Sequence, residues 1–255
     1  MSEFINLNTG STEPTILDGD QGGKKWKTDR SGLITASMAC VVRNRLRTGE
    51  FSGAAKKYAF RLAIERITGT FLDDTFETEY MRRGTRLEED ARVRHEQRIG
   101  DLIEQVSLII SPCGRYGASP DGFIRSDGGS EYKCFVSPEK LMPILINGDV
   151  ADIQDQMQMT MWLAGREWWH FGLYCPALKA IDRDLTIIPT ERNETYIDAL
   201  KKDLAEFDCL VQSYQQQVLD NNHDSLFMPP KPGIAAIQQA PVPDPAKTLN
   251  YEIHL

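Results

Sequence analysis

The chain has 255 residues, 41% of them hydrophobic and 26% charged, with a formal net charge of −8. That length accommodates one large domain or two small ones, and no run reaches the roughly 18 apolar residues of a membrane span, so no membrane partner is expected. The five cysteines, at 40, 113, 134, 175 and 209, are scattered with no C-x-x-C pair, which argues against zinc, a disulfide framework or an iron–sulfur cluster and for a reducing, cytoplasmic setting.

Residues 1–23 are polar and Gly-rich and read as an arm, and their start lacks a basic region followed by an apolar core, so no signal peptide is expected. A single domain is expected over 24–228. Trp26 to Thr35 leads into a helix over Ala36–Arg45, with Thr35 or Ser37 as N-cap. Arg47-Thr-Gly-Glu reads as a turn. Tyr58, Leu62 and Glu65/Arg66 recur at helical spacing in Lys56–Thr68, which stops at Gly69. A longer helix is expected from Thr78 to Arg98, closed by Gly100. Val106–Ile110 reads as a strand, and Gly117–Ile124 with Ser130–Phe135 as a hairpin turning at Asp127-Gly-Gly. Helices follow at 137–147 and 150–164, strands at Trp168–Cys175 and Leu185–Ile188, and a long amphipathic helix over Glu191–Asn221. From Pro229 the chain is Pro-rich, a weakly ordered tail over 229–255. His95, His170 and His223 stand apart from any motif and read as structural or surface groups.

The charge is unevenly spread. Residues 24–66 carry eleven Lys/Arg against three acids, a local excess of +8, so the rest of the chain carries −16. Such polarity fits a basic lining in an acidic protein, the footprint of a nucleic-acid partner.

The richest stretch is Ser119-Pro-Asp121-Gly, followed after a turn by Glu131-Tyr132-Lys133. Residues two apart on a strand share a face, so Glu131 and Lys133 sit side by side, with Asp121 returned to them by the turn. Two carboxylates beside an ammonium suit a hard divalent cation and a water that must lose a proton. Oxygen ligands favour Mg²⁺ or Mn²⁺. Asp121 and Glu131 would hold the cation, and Lys133 would orient or deprotonate the water and offset charge on the transition state. The P-D-x(n)-E-x-K pattern resembles that of the restriction-endonuclease-like nucleases, which implies an α/β fold with a central mixed sheet flanked by helices.

Four blocks in order make the resemblance specific: Trp26…Arg30-Ser-Gly-Leu-Ile-Thr-Ala-Ser37, Arg83-Gly-Thr-Arg-Leu-Glu88-Glu-Asp-Ala-Arg92, the Asp121…Lys133-Cys stretch, and Asp155-Gln156-Met-Gln158-Met-Thr-Met-Trp162. Together the chain resembles the phage λ exonuclease (alkaline exonuclease, YqaJ-type) family over about residues 26–175. The resemblance makes Glu88 a third acidic group at the metal, the main-chain carbonyl near Tyr132 a ligand, and Gln158 an amide facing the active site, with Gln156 pointing elsewhere. It gathers Arg30, Ser37 and Ser119 into a pocket for a terminal 5′-phosphate, sends Arg47 to the minor groove and makes Met81 an apolar wedge between the strands. It further implies a 5′→3′ exonuclease on linear duplex DNA that leaves 3′ single-stranded tails for recombination, a ring-shaped homotrimer, a single-strand annealing recombinase as partner and work in a bacterial host. Two rivals remain: a site- or structure-specific endonuclease on the same core, and a catalytically dead DNA-binding module.

Overall fold

The structure is a computed structural model. It describes residues 12–72, 79–135 and 137–220, except the side chains of 79–82 and 85. It divides into two units, Met1–Leu219 and Asp220–Leu255. The second lies, beyond its first residue, outside the described residues, as does the expected tail. No helix among the described residues is long and apolar enough to cross a membrane.

Two mixed sheets organise the first unit. The smaller has the order β1-β4-β5-β2, with β1 Thr15–Leu17, β2 Ile34–Thr35, β4 Leu108–Ile110 and β5 Tyr116–Ala118. The larger has the order β3-β6-β7-β8-β9, with β3 Ile103–Glu104, β6 Gly122–Ile124, β7 Gly128–Lys133, β8 Trp168–Tyr174 and β9 Leu185–Glu191. Strands β7 and β8 run parallel, joined through α5 (Pro138–Asn147) and α6 (Ala151–Ala164), because a parallel pair needs a long crossover.

Three strand expectations change. Part of the expected arm is built into the sheet: Thr15–Leu17 pairs antiparallel with β4. The expected strand Gly117–Ile124 is two strands in different sheets, broken at Ser119-Pro120-Asp121, where proline has no N–H for a ladder. The hairpin turns at Arg125–Asp127, with Arg125 at φ 52°, and the two glycines that follow lie inside β7. A Cβ on Gly128 or Gly129 would stand 2.1–2.2 Å from the rings of Trp168 or Trp169, so these glycines make room for tryptophans of β8.

Helices cover both faces of the larger sheet. α3 (Gly53–Thr68) starts where the Ser52 hydroxyl accepts from Ala55 N–H and stops at Gly69, φ 64°, as cap chemistry requires. With α6 and α7 (Glu194–Asp220) it buries the main core, which includes Tyr58, Leu62, Met157, Met161, Trp169, Phe171 and Phe207. Each such side chain contributes about 1.5–3 kcal/mol. On the opposite face α4 (Glu79–Ile99) covers Ile124, Tyr132, Tyr174 and Leu185.

The first block folds differently from expectation. A helix α1 forms at Lys24–Arg30, and Ala36–Arg45 is a 3-10 turn (Ala36–Met38) followed by the short α2 (Ala39–Arg43). Neither Thr35 nor Ser37 caps it by a side-chain bond. The basic segment is also less free than its sequence implies. Arg43 binds Asp155 and Asp203, Arg45 binds Glu206, and Arg66 binds Asp208. Three of its eleven cations are thus met by carboxylates more than 100 residues away, holding α2 and α3 to α6 and α7.

Candidate active site

The break between β5 and β6 sets Asp121 at the end of β7. Asp121 Oδ2 accepts from the Tyr132 N–H at 2.6 Å. Next to it, Lys133 Nζ donates to Glu131 Oε1 at 2.6 Å. Glu131 is 3% exposed and Lys133 is partly exposed, so the carboxylate end of the pair is the drier one and its attraction is only partly screened. Glu131 Oε1 takes a second bond, from Gln156 Nε2 at 2.6 Å. Among the described residues Glu131 Oε2 and Asp121 Oδ1 have no hydrogen-bond partner.

The electrostatics mark the same group. Burial, then Glu131 and Glu88, push the Asp121 carboxyl well above the usual range. Burial also raises Glu88; Lys133 opposes this shift and Glu131 adds to it. The sequence-predicted set Asp121, Glu131, Lys133 and Glu88 is therefore brought together by α4 and β7. Burial pulls Lys133 down, but Glu131 and Asp121 carry it above the ordinary lysine value.

Gln158 is the exception. It is fully buried, donates to the Glu191 carbonyl at 2.8 Å and accepts from Asn193 N–H at 2.9 Å. It closes the β9–α7 junction and does not face the carboxylates. The amide that does is Gln156, two residues earlier, which sequence reasoning set aside. Every face of α6 carries buried residues, so its apolar pattern held no signal to rank the two.

The donor set fits a hard cation. Asp121, Glu131 and the Tyr132 carbonyl offer oxygen alone, and the crowding that raises Asp121 and Glu88 is a repulsion that a divalent cation would relieve. Among the described residues no three His, Cys, Asp or Glu side chains close into a metal cage. An open set suits Mg²⁺, which binds through one or two carboxylates and keeps several waters. Two cavities flank the group: one of about 330 Å³ lined by Asp20, Gln21, Glu88, Arg92, Asp121 and Tyr132, the other of about 400 Å³ lined by Ser37, Lys133, Phe135, Lys140, Ile153 and Gln156 among others.

Arg30, Ser37 and Ser119 are also linked. Arg30 donates to the Ser37 hydroxyl at 2.9 Å and the Thr35 hydroxyl at 3.1 Å, and its guanidinium lies 4.7 Å from the Trp26 ring centroid. Trp26 Nε1 in turn donates to Ser119 Oγ at 3.0 Å. No carboxylate is hydrogen-bonded to Arg30 among the described residues, so a guanidinium fork faces only hydroxyls. Arg47 is exposed on the turn before α3. Met81 falls on α4, but its side chain lies outside the described residues.

Comparison with known proteins agrees with this geometry. The model of the YqaJ-like viral recombinase domain matches residues 25–167. An alkaline exonuclease (LHK-Exo) from Laribacter hongkongensis is 27% identical, with a TM-score of 0.67 over 77% of this chain and 96% of that one. The same enzyme in complex with dAMP gives a TM-score of 0.68 at the same identity and coverage. A phage-related exonuclease from Haemophilus somnus 129PT shares the fold, with a TM-score of 0.56 at 16% identity over 73% of this chain and 95% of that one. No match was found among curated proteins.

Proposed function

The chain belongs to the YqaJ-like viral recombinase family, and on that premise we propose that it is a metal-dependent 5′→3′ exonuclease acting on linear duplex DNA. The family and its likeness to alkaline exonucleases support a nuclease. The observation that supports the finer reading is the Glu131–Lys133 pair at 2.6 Å beside Asp121, with one oxygen of each carboxylate without a hydrogen-bond partner among the described residues.

Asp121, Glu131 and the Tyr132 carbonyl would hold the Mg²⁺ or Mn²⁺, with Glu88 directly or through water. Such an ion supplies polarisation of the phosphoryl oxygen and acidification of a bound water. Lys133, hydrogen-bonded to Glu131, orients or deprotonates the water and offsets charge on the transition state. Gln156 fixes Glu131 so that its second oxygen points away from Lys133. Arg30, with Ser37 and Ser119, grips a terminal 5′-phosphate, which makes cleavage depend on an end. Arg47 would meet the duplex. A homotrimeric ring and an annealing recombinase that loads on the 3′ tail complete the proposal, on the family resemblance.

The test is cleavage of 5′- or 3′-labelled linear duplex and of a covalently closed circle in Mg²⁺. The expected result is early release of the 5′ label as mononucleotide, an intact 3′-ended strand and an untouched circle. Release from the 3′ end would reverse the polarity. Cutting of the circle would establish the endonuclease instead.

A further inference from the structure

On the far side of β7 lies a buried polar chain that the chemistry above does not use. His95 on α4 is fully buried. Its Nδ1 is 2.8 Å from the Tyr132 hydroxyl and its Nε2 is 3.0 Å from Nδ1 of His170 on β8. No motif points to this arrangement, since residues 95, 132 and 170 share none.

Tyr132 alternates with Glu131 and Lys133, so its ring points to the opposite face of the strand. The ring lies across Gly172 of β8, where an added Cβ would stand 2.5 Å from a ring carbon. A glycine inside a strand costs stability and marks a close approach. His95 meets the same ring edge-on, with centroids 5.8 Å apart at 90°. Ala91, Ile103, Ile124, Tyr174 and Leu185 pack around the pair, with Ser130, Arg92 and Glu96 near the Tyr132 hydroxyl and Arg98 near His95. Buried polar groups are costly unless bonded, and an apolar trio would fill this space without that requirement. Packing alone does not explain the choice.

The bond's location does. His95 is seven residues, about two turns, beyond Glu88 and on the same helix face. Tyr132 stands between Glu131 and Lys133, and its N–H holds Asp121. Among the described residues, the His95–Tyr132 contact is the side-chain hydrogen bond that joins the helix carrying Glu88 to the strand carrying Glu131 and Lys133. Arg94 and Arg98 also anchor α4, but to Asp184, which precedes β9.

We propose that His95, acting through the Tyr132 hydroxyl and backed by His170, is a positioning residue that sets Glu88 against Asp121, Glu131 and Lys133. The inference rests on the metal-nuclease reading and deepens it. The decisive variant is Tyr132→Phe, which removes one oxygen and keeps the ring over Gly172. Mn²⁺ binding is measured by calorimetry without DNA, and kcat and KM on linear duplex in parallel. Removing a group that orients metal ligands costs about 10- to 100-fold in metal affinity or activity, so Mn²⁺ affinity and kcat both fall by that factor. KM for duplex stays unchanged, as it does when no ground-state contact with DNA is lost. His95→Leu gives the same loss. His95→Gln, which places an amide near the phenol, recovers most of it and serves if Tyr132→Phe folds poorly. Tyr132→Phe with wild-type Mn²⁺ affinity and kcat would overturn the proposal, as would losses at His95 that the glutamine does not rescue. If the wild type binds Mn²⁺ but cuts no duplex, the nuclease reading fails and the Mn²⁺ titrations alone decide the positioning role.

Discussion

Arg30 offers a quantitative test of end recognition. Its guanidinium bonds two hydroxyls, Thr35 at 3.1 Å and Ser37 at 2.9 Å, and rests on Trp26. Burial lowers its pKa, opposed by Tyr58, Glu65 and Glu131, and no carboxylate is hydrogen-bonded to it among the described residues. A 5′-phosphate supplies it; a 5′-hydroxyl does not. One charge-assisted bond contributes about 1.5–3 kcal/mol. At roughly 1.4 kcal/mol per tenfold, the wild type should prefer phosphorylated ends by about 10- to 150-fold. Arg30→Ala should erase most of that by slowing phosphorylated ends and leaving hydroxyl ends nearly unchanged. Arg30→Lys, which keeps charge but loses the fork, should fall between. Ser37→Ala removes a hydroxyl bond to the charged phosphate of about 1.5–3 kcal/mol and should cost about 10- to 150-fold. The assay is single-turnover digestion of matched duplexes at fixed salt, because phosphate contacts are salt-dependent. Equal wild-type rates on both ends, or a preference that survives Arg30→Ala, would refute the pocket.

Three further outcomes are expected. Lys133→Ala should slow the chemical step by about 10²-fold or more; a raised KM with unchanged kcat would assign Lys133 to DNA binding alone. The two glutamines should separate: Gln156→Ala lowers kcat by about 10-fold through Glu131, whereas Gln158→Ala strands the Glu191 carbonyl and Asn193 N–H and costs about 1–3 kcal/mol of stability for a group left unpaired, read by denaturant unfolding and kcat. Asp208, buried and bonded to Arg66 and Arg115 at 2.7 and 2.9 Å, has a carboxyl that burial would raise but the arginines hold below its ordinary value. A depressed carboxyl stabilises above its unfolded pKa, about 3.9, and that stability is lost as pH falls through the folded value. Asp208→Asn should therefore cost about 3 kcal/mol near neutrality, with a Tm gap from wild type that is constant at pH 6–8 and closes below about pH 4. A gap that persists in acid would mean a packing defect.

What the sequence disclosed depended on whether the deciding contact was local. Glu131 and Lys133 were legible because a two-residue period fixes their shared face, and Asp121 because a turn returns it to them, although the strand break at Ser119-Pro120-Asp121 was not foreseen. The α3 cap and stop were equally local. Gln156 and Gln158 were not separable, because α6 is enclosed on nearly all sides by Ile153, Met157, Met159 and Met161 and only its neighbours decide which amide meets Glu131. The glycines at 128 and 129 looked like a turn because the tryptophans that require them lie 40 residues on. β1 was missed because three residues suffice once β4 is there to pair with. Arg43, Arg45 and Arg66 of the basic segment could not be seen as paired because their carboxylate partners come from α6 and α7.

The central claim is that Asp121 serves the chemistry through a metal rather than affinity for DNA. Asp121→Asn keeps the size and an acceptor for the Tyr132 N–H but removes the charge. The measurement is Mg²⁺-dependent digestion of a 5′-phosphorylated linear duplex by this variant, alongside its equilibrium binding to the same duplex in Ca²⁺. The account predicts no detectable digestion with binding close to wild type. Digestion at the wild-type rate by Asp121→Asn would contradict it.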